Sequence, residues 1–540
     1  MAKMRRRAGF SFLAALALLL ESAPADAASP ARVMGSVTIE GRPAGRVLVT
    51  AAPVAGGPRH TVRADATGSF AFPELGPGAY RLVARDPRFE DSAPVVVSIE
   101  SGAEPPRIDL ALGPAVDEWS AAPASALLAR LPEGSEKRAF VLECTGCHQF
   151  DQRTTTVDGR LKTEREWTEA IERMLGYAGA DTDFPILSPG RDAAETAAWL
   201  SRHFGPEPAS TALPPVHVPE LPPPARPVLV TEYRLPVPED LPHDLLVDVD
   251  GRVVVTGMLT NVMNVLDPAT GAVESVPIDA GGGNPRALDI DGEGNWYVAL
   301  GAPRAIARRD RATGEWTAWS VGQYPHSIAL DGSGRLWFNG HFSIAPERIG
   351  FVEPRTGEVE TFDVPVPPTP DGGRTIQYGL RVGPDGSVWT TELMGNRLIR
   401  YRLDTDRFEV HELPTPASGP RRPDLGADGL VWIPEYAGNR LARFDPETGT
   451  FREWELPIAD ALPYVVRVDR VRNRVWIGTA AADAVLWFDP AEERFSVVAL
   501  PTRGAIIRHM DVDEQTGDLW VAYSASPARG PNDIARIRVR

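Results

Sequence analysis

Seven times between residues 254 and 520 the chain returns to a large apolar residue in the same local setting. The anchors are Val254, Trp296, Trp337, Trp389, Trp432, Trp476 and Trp520, at successive intervals of 42, 41, 52, 43, 44 and 44 residues. A period of this length is that of a propeller blade, a unit that cannot bury its apolar faces alone and must stack on its neighbours. Each unit reads as a strand opening near a Pro-His position, a D-G hairpin, the Trp strand, a third strand ending in D-P-x-T-G, and a fourth ending in Leu-Pro. Asp267-Pro268-Ala269-Thr270-Gly271 and Asp445-Pro446-Glu447-Thr448-Gly449 are the clearest copies of the third ending. The last unit stops at its third strand, residues 534–539. The missing fourth lies at the start of the region, where Thr231-Glu232-Tyr233-Arg234-Leu235-Pro236 matches Arg452-Glu453-Trp454-Glu455-Leu456-Pro457 in character. Residues 228–540 are therefore expected to close a seven-bladed β-propeller by pairing their own ends. The long step from Trp337 to Trp389 predicts an insertion split between residues 341–349 and 365–375.

Upstream, the pattern changes several times. Residues 1–27 carry a basic start, an apolar stretch from residue 8 to 20, and the small-x-small triplet Ala25-Asp26-Ala27, which together read as a cleaved signal peptide. No later stretch is long and apolar enough to cross a bilayer, so no transmembrane span is expected after cleavage. Residues 31–113 alternate apolar and polar positions, as in Val37-Thr38-Ile39 and Phe70-Ala71-Phe72, and predict a small β-sandwich. Residues 115–205 switch to helical period. Thr163 to Glu166 is a capping box opening a helix that aligns Trp167, Ile171, Met174 and Ala178. A second helix runs from Asp192 past Trp199 and Phe204 to Gly205, a natural left-handed stop. Residues 206–227 are Pro-rich and read as a semi-rigid linker. The expected fold class is multidomain and mainly β, with a sandwich, a small all-α domain and a propeller.

Only two cysteines occur, in Cys144-Thr145-Gly146-Cys147-His148. A redox dithiol, half of a zinc site and c-type haem attachment all use C-x-x-C. Zinc would need further ligands at close spacing, and no second CxxC or HxxxH exists in the chain. A thioredoxin-like dithiol would want a βαβ setting. Haem attachment needs two thiols one helical turn apart, with the next side chain aimed at iron, and this spacing supplies that. The expectation is one covalent haem c on Cys144 and Cys147, carried by a cytochrome c-like domain over 115–205, with His148 as one axial ligand. Met174, the only methionine of that segment, is the expected sixth ligand; its other reading is core packing, and His203 is the alternative ligand. Asp and Glu outnumber Lys and Arg 73 to 56, giving a formal charge of −17. This excludes a nucleic-acid partner and suits a cationic redox protein.

Two segments resemble known families. G-S-V-T-I-E-G-R-P-A from Gly35 and T-G-S-F-A-F-P-E-L-G-P-G-A-Y-R-L from Thr67 resemble the carboxypeptidase regulatory-like domain, a transthyretin-like sandwich. That resemblance implies no catalysis, and His60 is read as a solvent-facing loop residue. Over 228–540, the recurring P-H-x-I-x-x-D-x-x-G-x-x-W-F and G-N-R-[LI]-x-R resemble the virginiamycin B lyase (streptogramin lyase) propeller family. Tyr324-Pro325-His326-Ser327-Ile328, Glu392-Leu393-Met394-Gly395-Asn396-Arg397 and Glu435-Tyr436-Ala437-Gly438-Asn439-Arg440 carry it. The resemblance implies a general-base His at a strand start, and a Glu at the strand end of the same blade that helps hold Mg²⁺. Here no blade has both, which puts Mg²⁺ and ring-opening elimination in doubt. Tyr378 and Arg421 precede Glu392 and Glu435, while His243 and His326 precede Gly257 and Gly340, each by 14 residues.

The starts of the first strands bear His243, Arg286, His326, Tyr378, Arg421 or Arg422, Tyr464 and His509. The second-strand ends bear Glu392 and Glu435, with His341 one residue beyond its own strand. An antiparallel return puts all of them at one mouth of the central channel, as a binding site or as a structural rim. The two glutamates on adjacent blades predict an internal ion pair with Arg421 or Arg422 between them. Three functions remain open: a periplasmic or secreted electron-transfer or oxidoreductase component acting on a redox partner protein or a small polar substrate, a C–O lyase with an appended cytochrome, and a non-enzymatic redox-sensing or docking protein.

Overall fold

The computed structural model describes residues 31–101, 107–179, 181–182, 184–206, 218–342, 346–367, 375–524 and 532–540. The expected signal peptide, residues 207–217 of the Pro-rich segment, and residues 343–345 and 368–374 of the expected insertions lie outside the described residues.

The repeat units are blades of a β-propeller. Blades 1 to 6 are four-stranded antiparallel meanders over 242–277, 283–320, 325–363, 377–412, 424–455 and 463–499. Blade 7 takes its first three strands from the end of the chain, Ile507–Val512, Leu519–Tyr523 and Asp533–Val539. Its fourth is Val228–Arg234, paired continuously from Val228↔Val539 to Arg234↔Asp533. All seven anchors are buried between blades; Trp337, for example, packs against Leu380 and Val388 of blade 4. The motif in front of it explains why a Trp can stand there. Asp331 accepts from the amides of Ser333 and Arg335 (2.8 and 3.1 Å) to hold the hairpin, and from Trp337 Nε1 (2.9 Å), so the buried indole keeps a partner.

The sandwich, 31–111, does not stand apart. Its strand Arg59–Arg63 pairs with the outer side of Val228–Arg234, through Val230↔Thr61, Thr231↔His60 and Glu232↔Arg59. Blade 7 and one sheet of the sandwich thus form a single eight-stranded sheet. The loop reading of His60 is corrected by this pairing. The residue is half-buried in a strand at the joint, with Nδ1 3.2 Å from Thr231 Oγ1. An unpaired blade edge attracts another strand, and here the chain supplies one.

Between sandwich and propeller lie helices Ser135–Cys144, Glu164–Ala178 and Ala193–Phe204, with three short helical turns. The capping box is formed, Thr163 and Glu166 each bonding the other's backbone. Trp167, Ile171 and Ala178 are buried, whereas Met174 is 42% exposed, which removes the core-packing reading of that residue. Phe140 and Phe150 pack with Trp199 and Phe204 to bind the helices together. Gly205 is not a left-handed stop, since its φ is −88°. Glycine fits there for space, because a Cβ would lie 2.4 Å from the carbonyl oxygen of Ser201. The helices share one core with blades 4 to 7 and sit over one mouth of the channel. Ser125 N donates to Ala481 O (2.8 Å), Lys137 pairs with Asp460 (2.9 Å), and Arg503 donates to the carbonyl of Ala122 (2.8 Å).

The sandwich joint turns on one cation. Arg59 pairs with Glu232 at 3.0 Å and also with Asp533, both carboxylates being buried. Arg59→Ala takes the cation from buried Glu232 and leaves Asp533 with Arg234 at 3.5 Å, and is expected to lower the unfolding free energy by about 3 kcal/mol, measured in denaturant melts. An unchanged melt would show that the joint adds nothing to the fold.

Candidate functional site

The first strand of a blade does not enter the channel as a regular ladder. In blades 1, 2, 3, 4, 6 and 7 its register shifts near the inner end, for example between Pro242 and Leu245 and between Ile507 and Met510. In blade 5 the Pro420–Glu435 bridge stands apart from strand Asp424–Leu425 in the same way. Such a bulge re-aims neighbouring side chains. Two consecutive residues per blade leave in opposite directions: His243, Arg286, His326, Tyr378, Arg421 and Arg508 face a cavity under the helices, while their successors face the other half of the channel.

This corrects one expected position. His509 lies in the far half with Asp244 (3.4 Å) and Arg467, and accepts from the amide of Leu245. Its predecessor Arg508 takes the place assigned to it. A one-residue offset inside a bulge leaves no trace in the repeat spacing, so Arg508 was not legible. Arg422 also points to the far half and pairs with Asp244 at 2.8 Å.

The cavity under the helices measures about 180 Å³. Cys147 and Gly146 form part of its roof, with Tyr177, Phe184 and Ile186. His326 and His341 stack with ring centroids 4.2 Å apart, and His243 meets His326 edge-on at 6.3 Å. Each ring is anchored through Nδ1–H: His243 to Asp244, His326 to the carbonyl of Tyr378 and His341 to that of Gln377, each at 2.8 Å. Burial holds all three neutral, His243 down at about 3. Their Nε2 atoms are therefore lone-pair acceptors. Below them Arg421 stacks over Tyr436, Tyr464 and Tyr378, 3.7, 4.4 and 4.8 Å from the ring centroids, and donates to Tyr378 Oη (2.7 Å). Tyr464 touches Tyr378 hydroxyl to hydroxyl and accepts from Arg508 (3.0 Å). Burial works to raise the Tyr464 phenol, but Arg508, Arg421 and Arg422 outweigh it and bring it down to about 8.

The glutamates are not at the cavity, and no arginine from the channel bridges them. Glu392 accepts from Gln377 (3.1 Å) and pairs with Arg397 (3.0 Å), its partner across the next hairpin. The expected pairing with Arg421 or Arg422 is thus overturned: the E-x-x-G-N-R motif carries its own cation. Glu435 has both oxygens buried without a hydrogen-bond partner. Burial and the neighbouring Glu453 carboxylate push it up to about 9.

Cys144 ends helix Ser135–Cys144, and burial pushes its thiol up to about 12. Cys147 and His148 follow in the turn, and both cysteines are free thiols. His148 Nδ1 lies 3.2 Å from the carbonyl of Gln149, and its Nε2 has no hydrogen-bond partner among the described residues. An iron-binding imidazole needs that arrangement, so the donor set fits a c-type haem. The segment is tied to the propeller. Thr145 Oγ1 and Tyr436 Oη are 2.9 Å apart, Arg508 donates to Cys147 O (3.2 Å), and Gln149 to Ala505 O (3.0 Å).

Residues 370–539 match the virginiamycin B lyase family. Residues 32–113 match the carboxypeptidase regulatory-like domain. A streptogramin B lyase structure superposes with a TM-score of 0.51 at 21% identity, covering 58% of this chain and 98% of that one. Virginiamycin B lyase from Staphylococcus aureus gives 0.50 at 19%, covering 58% and 100%. A catalytically inactive form of that enzyme with quinupristin gives 0.51, also at 19% with 58% and 100% covered. At these identities the likeness shows a shared propeller fold. No curated protein matches this chain.

Glu435 gives the site a pH signature. The folded chain keeps its proton up to about pH 9, whereas an unfolded carboxyl releases it above its ordinary value of 4.5, so its contribution weakens as pH rises between these values. Glu435→Gln is expected to leave the melt little changed at about pH 5 and to raise it by a few degrees at about pH 9. An equal shift at both would mean that the carboxyl is ionised in the folded state.

Proposed function

We propose that this is an exported, periplasmic or secreted c-type haem protein of electron transfer or oxidation, with a propeller mouth that binds a small polar substrate beside the haem attachment point. The supporting observation is the Cys-Thr-Gly-Cys-His segment seated over a cavity that Arg286, Arg421, Arg508 and three histidines line, with Cys147 lining it too and His148 Nε2 without a partner among the described residues. Cys144 and Cys147 would hold the haem and His148 its iron, with Met174 as the sixth ligand; the exposure of Met174 is consistent with that task. When bound, the haem supplies a one-electron couple, and a thioether ligand raises its potential. The residues of the chain fix the rest. Thr145, Gln149 and Arg508 hold the attachment segment against the channel, and the excess of acidic residues favours a cationic redox partner.

A C–O lyase is the second reading, favoured by the family match over 370–539. Against it, Glu392 is tied to Arg397 and the helices cover the channel mouth.

Chain matured with a c-type haem assembly system is expected to retain haem on the denatured polypeptide, and Cys144→Ala with Cys147→Ala to abolish this. Haem still attached in the double variant would sink the assignment. Met174→Ala is expected to remove the sulfur-to-iron charge-transfer band and lower the potential; absence of that band from the unsubstituted protein would move the sixth ligand to His203 or leave the site open. Melts with and without chelator are expected to coincide. A large chelator-induced loss would reveal a structural divalent cation and put the lyase reading first.

A further inference from the structure

Among the described residues, Arg286, Arg421 and Arg508 converge on the cavity under Cys147 and none of them forms an ion pair. Arg421 and Arg508 are 2% and 8% exposed, and the Nε of each is buried without a partner. Their cationic neighbour Arg422 is answered by Asp244, but no carboxylate among the described residues lines this cavity. Taking a guanidinium out of water costs several kcal/mol unless a counter-charge or full hydrogen bonding offsets it. The tyrosine stack offsets part of this, and the lowered Tyr464 phenol reports the positive potential that remains. The site therefore wants an anion. It also has acceptors with nothing to accept: His243 Nε2 is fully buried without a partner, and His326 and His341 have their Nδ1 atoms committed to carbonyls.

We infer that this cavity binds a small hydroxycarboxylate, its carboxylate held by Arg421 and Arg508 and its hydroxyl donating to an imidazole Nε2 of the His243, His326 and His341 group. A carboxylate alone offers only acceptors and leaves the imidazoles unsatisfied. A hydroxyl on the same molecule supplies the missing donor. The size agrees: about 180 Å³ is room for roughly six waters at ~30 Å³ each, enough for a two- to four-carbon acid. The inference deepens the proposed function by naming its substrate class, and rests on that reading only for what the bound molecule is used for.

The full chain made without haem assembly is titrated with glycolate and, separately, acetate near pH 8, reading the near-ultraviolet phenolate band. The groups facing Tyr464 are Tyr378, Tyr436, Arg421, Arg422 and Arg508, so a bound carboxylate should reprotonate the phenol and the band should fall saturably. Glycolate is expected to bind about tenfold tighter than acetate. His243→Phe should reduce that preference without weakening acetate. Arg421→Gln or Arg508→Gln should weaken both acids by about tenfold or more. If either Gln variant fails to fold, the Lys variant decides: it keeps the charge but loses the fork, and should weaken both acids. No saturable response, or equal affinity for the two acids, overturns the inference. Loss of the response on haem loading overturns it too, by assigning the arginines to the haem's own propionates. Glycolate binding by a chain that never takes up haem would sink the haem reading and leave this one standing. Covalent haem with no glycolate response in the haem-free chain would do the reverse.

Discussion

Strand Val228–Arg234 must hydrogen-bond beside Asp533–Val539, at the opposite end of the domain, before there is a channel at all. The pairing is as non-local as the domain allows, and closing so long a loop costs entropy that grows only logarithmically with length. What offsets it is the inter-blade interface that only closure creates, at the seam, where Tyr233 and Leu235 pack with Trp520 and Leu245. Closure also leaves the outer edge of the closing strand unpaired. The sandwich, which precedes the helical region in the chain, supplies Arg59–Arg63 to that edge, so one strand fastens both the ring and the sandwich.

With the ring closed, the bulges decide the chemistry. Each sends one side chain toward the helices and the next away from them, and the two halves of the channel differ in charge. The far half contains Asp244, Asp289, Asp424 and Asp511 beside its arginines, and the near half contains arginine, histidine and tyrosine and, among the described residues, no acid. In a chain with a net charge of −17 that exclusion is local and specific. It sets the protonation states: burial and arginine together keep the three histidines neutral, while the same arginines draw the Tyr464 phenol down.

Much of the architecture was legible because it depends on local chemistry repeated seven times. The Asp331 to Trp337 bonding shows why Asp, Gly and Trp recur together, since each serves the same hairpin. The alternation of residues 31–113 and the capping box at Thr163 were readable for the same reason. Side-chain direction was not. The repeat places His509 and Arg508 equally well at the mouth, and only the bulge chooses Arg508. Glu392 looked available for a channel arginine because its partner Arg397, five residues on, reads as part of a turn. Met174 has the spacing of a buried face, yet its side chain is left exposed on that turn of the helix. The joint at His60 depends on an edge of the ring that only the closed fold reveals.

The helical cover is what turns a channel mouth into a cavity. Two glycines set how closely it sits. Gly419 has φ +66° and passes under the helix Ser135–Cys144, where a Cβ would lie 2.3 Å from Leu142 Cδ2. Gly146, between the cysteines, lies against Arg421, and a Cβ there would stand 3.0 Å from its guanidinium. A larger residue at Gly419 would be strained at that φ and would press on the Leu142 side chain of the helix that carries the roof Cys147 provides. A mouth left open to water would screen Arg421 and Arg508 and weaken their pull on an anion. Closed, it keeps them in a low-dielectric pocket whose wall is the Cys144–His148 segment itself. The spacing between the two cysteines and the repeat of the propeller therefore converge on one contact, Gly146 on Arg421, where the cysteine segment and the channel mouth meet.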